Sequence, residues 1–263
     1  MIADAVVCFF MKSCWLIIRY SIKYKKVITV LEKAHGMTYA KVFLLSYGRK
    51  MMLDNIKVFC QNSIRIKSPQ GLIYIDPFQM KEEPNDAAFV FLTHDHYDHF
   101  SPDDIKKVVG KNAVLVIPEK LQKRAVEVSG MFREVVTVKP DISTEVDGLK
   151  FETVPAYNLI RPFHPKSSNW VGYIFLIDGK RIYVAGDTDA TKEAKNVKCD
   201  IALVPIGGTF TMDAKKAAEF INEIKPEIAI PVHYGTAVGK ISDGDDFAKR
   251  VDAPVKVLFK IEF

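Results

Sequence analysis

The feature that most constrains this chain is Thr93-His94-Asp95-His96-Tyr97-Asp98-His99, which follows directly on the apolar run Ala87–Leu92. Six histidines occur in the whole sequence, and three of them fall in this one stretch. His35 lies near the N-terminus, and His164 and His233 lie downstream. A loop leaving the end of a strand can aim alternate side chains at one point, because successive residues of an extended chain face opposite ways. His94 and His96, two apart, can therefore face one metal ion. Asp98 and His99 follow as the chain turns and can face a second. Neutral imidazole and carboxylate suit zinc, manganese or iron. Burying so many imidazoles and carboxylates together without an ion would be costly. A solvated polar loop is the competing reading. The strict spacing and the strong strand before it argue against that.

At 263 residues the chain has material for one domain, or one domain with an appendage. The net charge of +5 belongs to the first fifty residues, which hold nine Lys/Arg against two Asp/Glu. Residues 51–263 hold 28 Lys/Arg against 30 Asp/Glu, so they carry no electrostatic footprint for nucleic acid. The apolar stretch Ala5–Ile18 is interrupted by Lys12 and followed by Arg19, Lys23, Lys25 and Lys26. It is shorter than the ~20 residues of a membrane span, and its charges follow the apolar run, unlike those of a signal peptide. Residues 1–50 thus read as an atypical extension that the fold does not need. A membrane-surface segment and a helix packed on the domain are the alternatives. Met51-Met52 opens the compact part, residues 51–263. Cys8, Cys14, Cys60 and Cys199 are scattered, without a CxxC pair, which points to a reduced, cytoplasmic setting.

From residue 55 onward, strand signals outnumber helix signals. Ser63–Lys67, Leu72–Ile75, Ala87–Leu92, Ala113–Ile117, Val135–Val138, Leu149–Val154, Val171–Ile177, Arg181–Ala185, Ile201–Val204, Glu227–Val232 and Val255–Phe259 read as strands. Ser101-Pro102-Asp103-Asp104 reads as a helix start, with Ser as N-cap, Pro in the first turn and acids facing the positive dipole end. Glu119–Ser129, stopped by Gly130, and Asp213–Ile224 read as helices. This is no strict βαβ repeat, and two sheets covered by helices would fit it.

Thr93-His94-x-His96-x-Asp98-His99 resembles the signature of the metallo-β-lactamase superfamily. Ala185-Gly186-Asp187-Thr188, Pro231-Val232-His233-Tyr234-Gly235 and Asp76 at the end of Ile73–Asp76 resemble its further motifs, so the likeness spans residues 55–263. It implies an α/β (α+β type) four-layer αββα sandwich with two divalent metal ions at one edge, zinc first, manganese or iron otherwise. His94 and His96 would bind the first ion. Asp98, His99 and His233 would bind the second, and Asp187 would bridge them. Asp76 would support the histidine loop from behind. Asp95 is expected to face away from the metals or to support the loop, and Tyr97 to pack.

One motif departs from the family's pattern, which supplies a third histidine to the first ion from a loop before Asp187. Here the strand end holds Tyr157-Asn158, and the available histidine is His164, six residues on. His164 is read as that ligand. The alternative is a first ion with fewer protein ligands and His164 touching substrate or acting as an acid. Val204–Asp213 looks like the small single-domain branch that includes L-ascorbate-6-phosphate lactonase. Its Gly207-Gly208 would allow close backbone approach beside the site. The alternative is a plain strand-to-helix turn capped by Thr211 or Asp213.

The implied chemistry is hydrolysis of a small ester, lactone, amide or phosphoester by a hydroxide shared between two ions about 3.5–4 Å apart, with Asp98 orienting it. A nuclease of the same superfamily and a mononuclear-iron dioxygenase of the persulfide type are the rivals. The expected partner is a small-molecule substrate and not nucleic acid. Membrane contact through residues 1–50 stays a secondary expectation, and the oligomeric state is left open.

Overall fold

The computed structural model describes residues 5–11, 14–21 and 26–31 as strands, and residues 53–263 apart from 161 and 262. His35, Met51, Met52 and Arg161 lie outside the described residues. The chain divides into two units, Met1–Leu53 and Asp54–Phe263. In the first, β1 (Ala5–Met11), β2 (Cys14–Ser21) and β3 (Lys26–Leu31) form an antiparallel sheet in that order. The helical alternative is thereby corrected for these strands, and residues 32–52 lie outside the described residues. Val6, Val7, Phe9, Phe10, Trp15, Ile17 and Ile18 are β-branched or aromatic residues, which favour a pleated strand over a helix. We expect a chain beginning at Met51 or Met52 to remain folded, bind two metal ions and turn over substrate. Loss of soluble protein on that truncation would show that the first unit is a required structural element.

The second unit carries two mixed sheets. The first sheet runs β4 (Ile56–Val58), β5 (Ile64–Ser68), β6 (Gly71–Ile75), β7 (Ala87–Phe91), β8 (Val109–Pro118), β9 (Glu134–Val138). The second runs β10 (Ser143–Val146), β11 (Leu149–Pro155), β12 (Val171–Ile177), β13 (Lys180–Val184), β14 (Ile201–Pro205), β15 (Ile228–Val232), β16 (Lys256–Val257). Each sheet begins with antiparallel strands and ends with parallel ones, the change falling at β6–β7 and at β13–β14.

The sheets pack face to face through aromatic side chains. The Phe91 ring meets the edges or faces of Phe151, Tyr173 and Phe175 at 4.9–5.0 Å. The Tyr173 hydroxyl donates to the Leu92 carbonyl at 2.7 Å, which bridges the layers and satisfies a phenol that would otherwise be buried unpaired. Val90, Leu92, Leu115 and Ile117 point the other way. They join a second core beneath helix α1 (Pro102–Val108), the 3₁₀ turn Glu119–Leu121 and helix α2 (Val126–Ser129). Burial on both faces is why Ala87–Leu92 is a continuous apolar run. Helix α4 (Ala214–Ile224) contacts β14 and buries Ala217, Phe220, Ile221 and Ile224, after the short helix α3 (Lys192–Lys195). The result is the αββα layering implied by the sequence.

Several elements differ from the sequence reading. Glu119–Ser129 is a 3₁₀ turn and a four-residue helix, although Leu121, Ala125 and Val128 keep helical spacing and are buried. Three anchors cannot sustain a longer helix through the β-branched and serine positions at its end. The short edge strands Ile56–Val58 and Ser143–Val146 gave no run long enough to read. Helix α5 (Ser242–Arg250) also escaped, because Gly244 and three aspartates disfavour a helix. Gly244 is there because a Cβ would meet the Tyr234 hydroxyl at 2.8 Å.

Candidate metal centre

The strand ends bring the site together. Asp76 follows β6, Thr93–His99 follow β7, Asn158 and His164 follow β11, Asp187 follows β13 and His233 follows β15. Asp76 and His233 both take left-handed backbone conformations, φ 45° and φ 57°, which turn the chain sharply off the strand. Such positions are sparsely populated for residues with a Cβ and recur at functional sites. Backbone bonds fix the loops to each other. The Asp76 amide donates to Phe91, that of Val171 to Thr93, and that of His233 to Gln61.

The buried Asp76 carboxylate organises the histidine loop. It accepts from the Thr93 amide at 2.8 Å, the Thr93 hydroxyl at 2.5 Å, the Asn62 carboxamide at 2.8 Å and His99 Nδ1 at 2.7 Å. Because His99 donates from Nδ1, its Nε2 is free to face the centre, where it lies 3.3 Å from Asp187 Oδ1. His233 Nε2 is 3.2 Å from Asp98 Oδ2 and 3.3 Å from Asp187 Oδ1. On the other side, His94 Nε2 is 3.2 Å from His96 Nδ1, and His164 Nε2 is 3.4 Å from Asp187 Oδ2. Three sets of donor atoms could each hold an ion: His94, His96 and His164; His94, His99 and Asp187; Asp98, His99 and His233. All seven residues converge, and Asp187 turns one oxygen towards each side.

The electrostatics fit cations. Burial, reinforced by the neighbouring His99, holds His94 well below the usual imidazole range. Burial and His164 lower His96. Burial would also lower His99, but Asp187 and Asp76 override it and hold His99 well above its ordinary value. Burial would raise Asp187, yet His233 and His99 keep it well below the carboxylate range. Asp98 is lowered against its own burial by the His233 hydrogen bond. The cluster balances its buried carboxylates with a positive charge on imidazole, the charge that a metal ion would supply instead. His164 Nε2 and Asp187 Oδ1 are buried without a hydrogen-bond partner. Both belong to this donor set, and orphaned acceptor atoms of this kind suit a cation.

The expected supports are placed as follows. A Cβ on Gly207 would collide with the His233 carbonyl oxygen, so this glycine lets the chain lie against the His233 loop. Gly208 has φ +80°, and its amide donates to Met212 at 3.0 Å. Asp213 caps α4 by accepting from the Lys216 amide at 2.8 Å, so the close-approach and turn readings both describe this segment. Asp95 belongs to none of the three donor sets, and its carbonyl accepts from Arg124. The expectation that Tyr97 packs is corrected: it is exposed, and touches only the edge of Phe78 among the described rings. An exposed turn position between two inward-facing residues leaves its ring no core to enter.

Three contributors escaped the sequence reading. The Asn62 carboxamide donates to Asp76. Trp170 packs against the rings of His94, His96 and His164 at 5.0–5.5 Å. Asn158 Oδ1 lies 2.9 Å from His164 Nδ1, while its amide nitrogen donates to the Phe210 carbonyl at 3.0 Å. The signal for Asn158 was its place at the strand end, where the family pattern has a histidine. Instead of binding an ion, it orients the histidine that comes six residues later. Asn158→Ala should weaken metal affinity by about 10–100-fold, as loss of an imidazole's outer partner does. Metal titration against a competing chelator reads this, and unchanged affinity would reduce Asn158 to a loop tether.

The sequence model of the β-lactamase superfamily domain matches residues 55–233, from the first sheet through the last histidine of the cluster. The chain belongs to the metallo-β-lactamase superfamily. A protein of Pyrococcus abyssi named a UPF0173 metal-dependent hydrolase is 33% identical over 201 residues, covering 71% of this chain and 87% of that one. Among solved structures, Igni18, a metallo hydrolase of Ignicoccus hospitalis, superposes with a TM-score of 0.62 at 22% identity, over 79% of this chain and 95% of that one. An isothiocyanate hydrolase from Delia radicum gut bacteria superposes with a TM-score of 0.61 at 15% identity, over 79% of this chain and 97% of that one. These structures share the fold. The superfamily membership and the hydrolase relatives make this chain a metal-dependent hydrolase. Among the described residues, no helix is long and apolar enough to cross a membrane.

Proposed function

We propose that the chain hydrolyses a small ester, lactone, amide or phosphoester with two divalent ions, zinc foremost. The observation that carries this is the Asp187 carboxylate, with Oδ2 towards His164 and His94 and Oδ1 towards His99 and His233. One carboxylate between two imidazole sets is the arrangement of a paired-ion site. His94, His96 and His164 would hold one ion, and Asp98, His99 and His233 would hold the other. The complete burial of His164 and its unpartnered Nε2 support a ligand role over contact with substrate. When bound, such ions supply Lewis-acid polarisation and a water made nucleophilic at neutral pH.

The remaining work falls to the chain. The Asp98 side chain is 12% accessible against 3% for Asp187, so Asp98 is the carboxylate placed to orient the attacking water and accept its proton. Trp170 covers the rings of the first set and keeps bulk water from their far side. The slight negative charge of residues 51–263 supports a small substrate over nucleic acid. The deciding experiment is metal analysis of protein reconstituted with zinc, manganese or iron, followed by lactone, thioester, β-lactam, phosphodiester and isothiocyanate substrates. Two ions per chain with turnover of an acyl substrate is the expected result. One iron with oxygen consumption would replace the proposal with a dioxygenase, and a preference for nucleic-acid phosphodiesters would replace it with a nuclease.

A further inference from the structure

The least buried histidine of the cluster is His96, so solvent reaches the centre on that side. Tyr97 follows it in the chain, and Leu159, Ile160 and Phe163 lie on the loop that leads into His164; all four are apolar and exposed. Ile160 is 93% exposed, Tyr97 67%, Leu159 59% and Phe163 49%. The two rings among them are held by other rings. Tyr97 rests edge-on against Phe78 at 5.9 Å, and Phe163 against Phe210 at 4.9 Å. Asn158 ties Phe210 to the same loop that it uses to aim His164. The Leu159 amide donates to the Asp189 carboxylate at 2.8 Å. Leaving such side chains in water forfeits their burial energy, and clustered exposed apolar groups beside a reactive centre mark a recognition surface. Among the described residues, the nearby cations Lys166 and Arg124 are already engaged. Lys166 pairs with Glu193 at 2.8 Å and lies over the Tyr157 ring, and Arg124 binds the Asp95 carbonyl and lies over Phe100.

We infer that Tyr97, Leu159, Ile160, Phe163 and Phe210 form an apolar rim that holds an aliphatic or aromatic group of the substrate, so that the substrate class is an apolar acyl compound. This rests on the hydrolase reading of the same site. The test uses straight-chain alkyl hydroxamic acids of two to eight carbons, which bind zinc without being turned over, titrated by calorimetry into the zinc-loaded full chain. Affinity is expected to rise about two- to fourfold per added methylene, as burial of each would give. Phe163→Ala and Ile160→Ser should flatten that rise, while Leu176→Ala, an exposed apolar position on the second sheet, should keep it. Zinc content of each variant shows that the centre is intact. A flat series in the wild-type chain overturns the inference. So does a rise that survives both rim substitutions. A rise without turnover of any ester, lactone or amide sustains the rim and removes the acyl-substrate part of the proposed function, so the two fail separately.

Discussion

Asp98→Asn should lower turnover by about 10²-fold or more, roughly 2.7 kcal/mol in the barrier, while the protein stays folded. Asn keeps the shape of the side chain and loses its negative charge. In the structure that charge faces His233 Nε2 at 3.2 Å and His99 Nε2 at 3.7 Å, the two imidazoles of the second set. Without it the second ion binds more weakly, and the attacking water loses the carboxylate that orients it. The fold survives because Asp98 lies in a loop at the end of β7 and supports no core packing. Metal content, thermal unfolding and rate are to be measured in one preparation with excess metal supplied. Near-normal hydrolysis by the Asn variant would remove the paired-ion mechanism and favour a single ion on His94, His96 and a third ligand.

Much of this site was legible in the sequence because coordination chemistry demands particular residue types at short spacing. His94, His96, Asp98 and His99 come from one loop, and a strand before them fixes which way they point. Asp187 and His233 each terminate an apolar run, so their strands announce them. His164 was harder, because its strand end presents Tyr157-Asn158 and the histidine arrives only after a loop. What places it is the Asn158 side chain, which bonds both His164 and the Phe210 carbonyl, and no spacing rule encodes such a contact. Trp170 was silent for the same reason: an aromatic residue preceding a strand looks like any core residue until three imidazoles are found against it. The strands of the second unit were legible where burial is two-sided, as in Ala87–Leu92. They were lost at edges such as Ser143–Val146, where three of the four positions are polar and the run is short.

Asp76→Asn should cost the metal-free protein about 3–5 kcal/mol, more than any exposed ion pair of this chain could contribute. Contact length alone would mislead here. Arg181 reaches Glu152 at 2.6 Å, as short as the bonds to Asp76, but both side chains are about a third exposed, and such pairs contribute roughly 0–1 kcal/mol. Asp76 is fully buried and accepts from four donors. Asn has one acceptor oxygen and one NH₂ group. If the NH₂ takes the Oδ2 position, it faces the donors of Asn62, Thr93 and His99. If it takes the Oδ1 position, it faces the Thr93 amide. Either orientation sets donor against donor in a place that water does not reach, and the charge that favours these bonds is gone. Since His99 is oriented through Nδ1, metal affinity should fall as well, by about 10–100-fold. Urea unfolding in the presence of a chelator isolates the structural part, and chelator competition measures the rest. A domain of this size loses about 2–4 °C per kcal/mol, so the melting temperature should drop by roughly 10 °C. A metal-free Asn variant that unfolds at the wild-type midpoint would show that the four bonds to Asp76 are worth little, and that this carboxylate serves the metal alone.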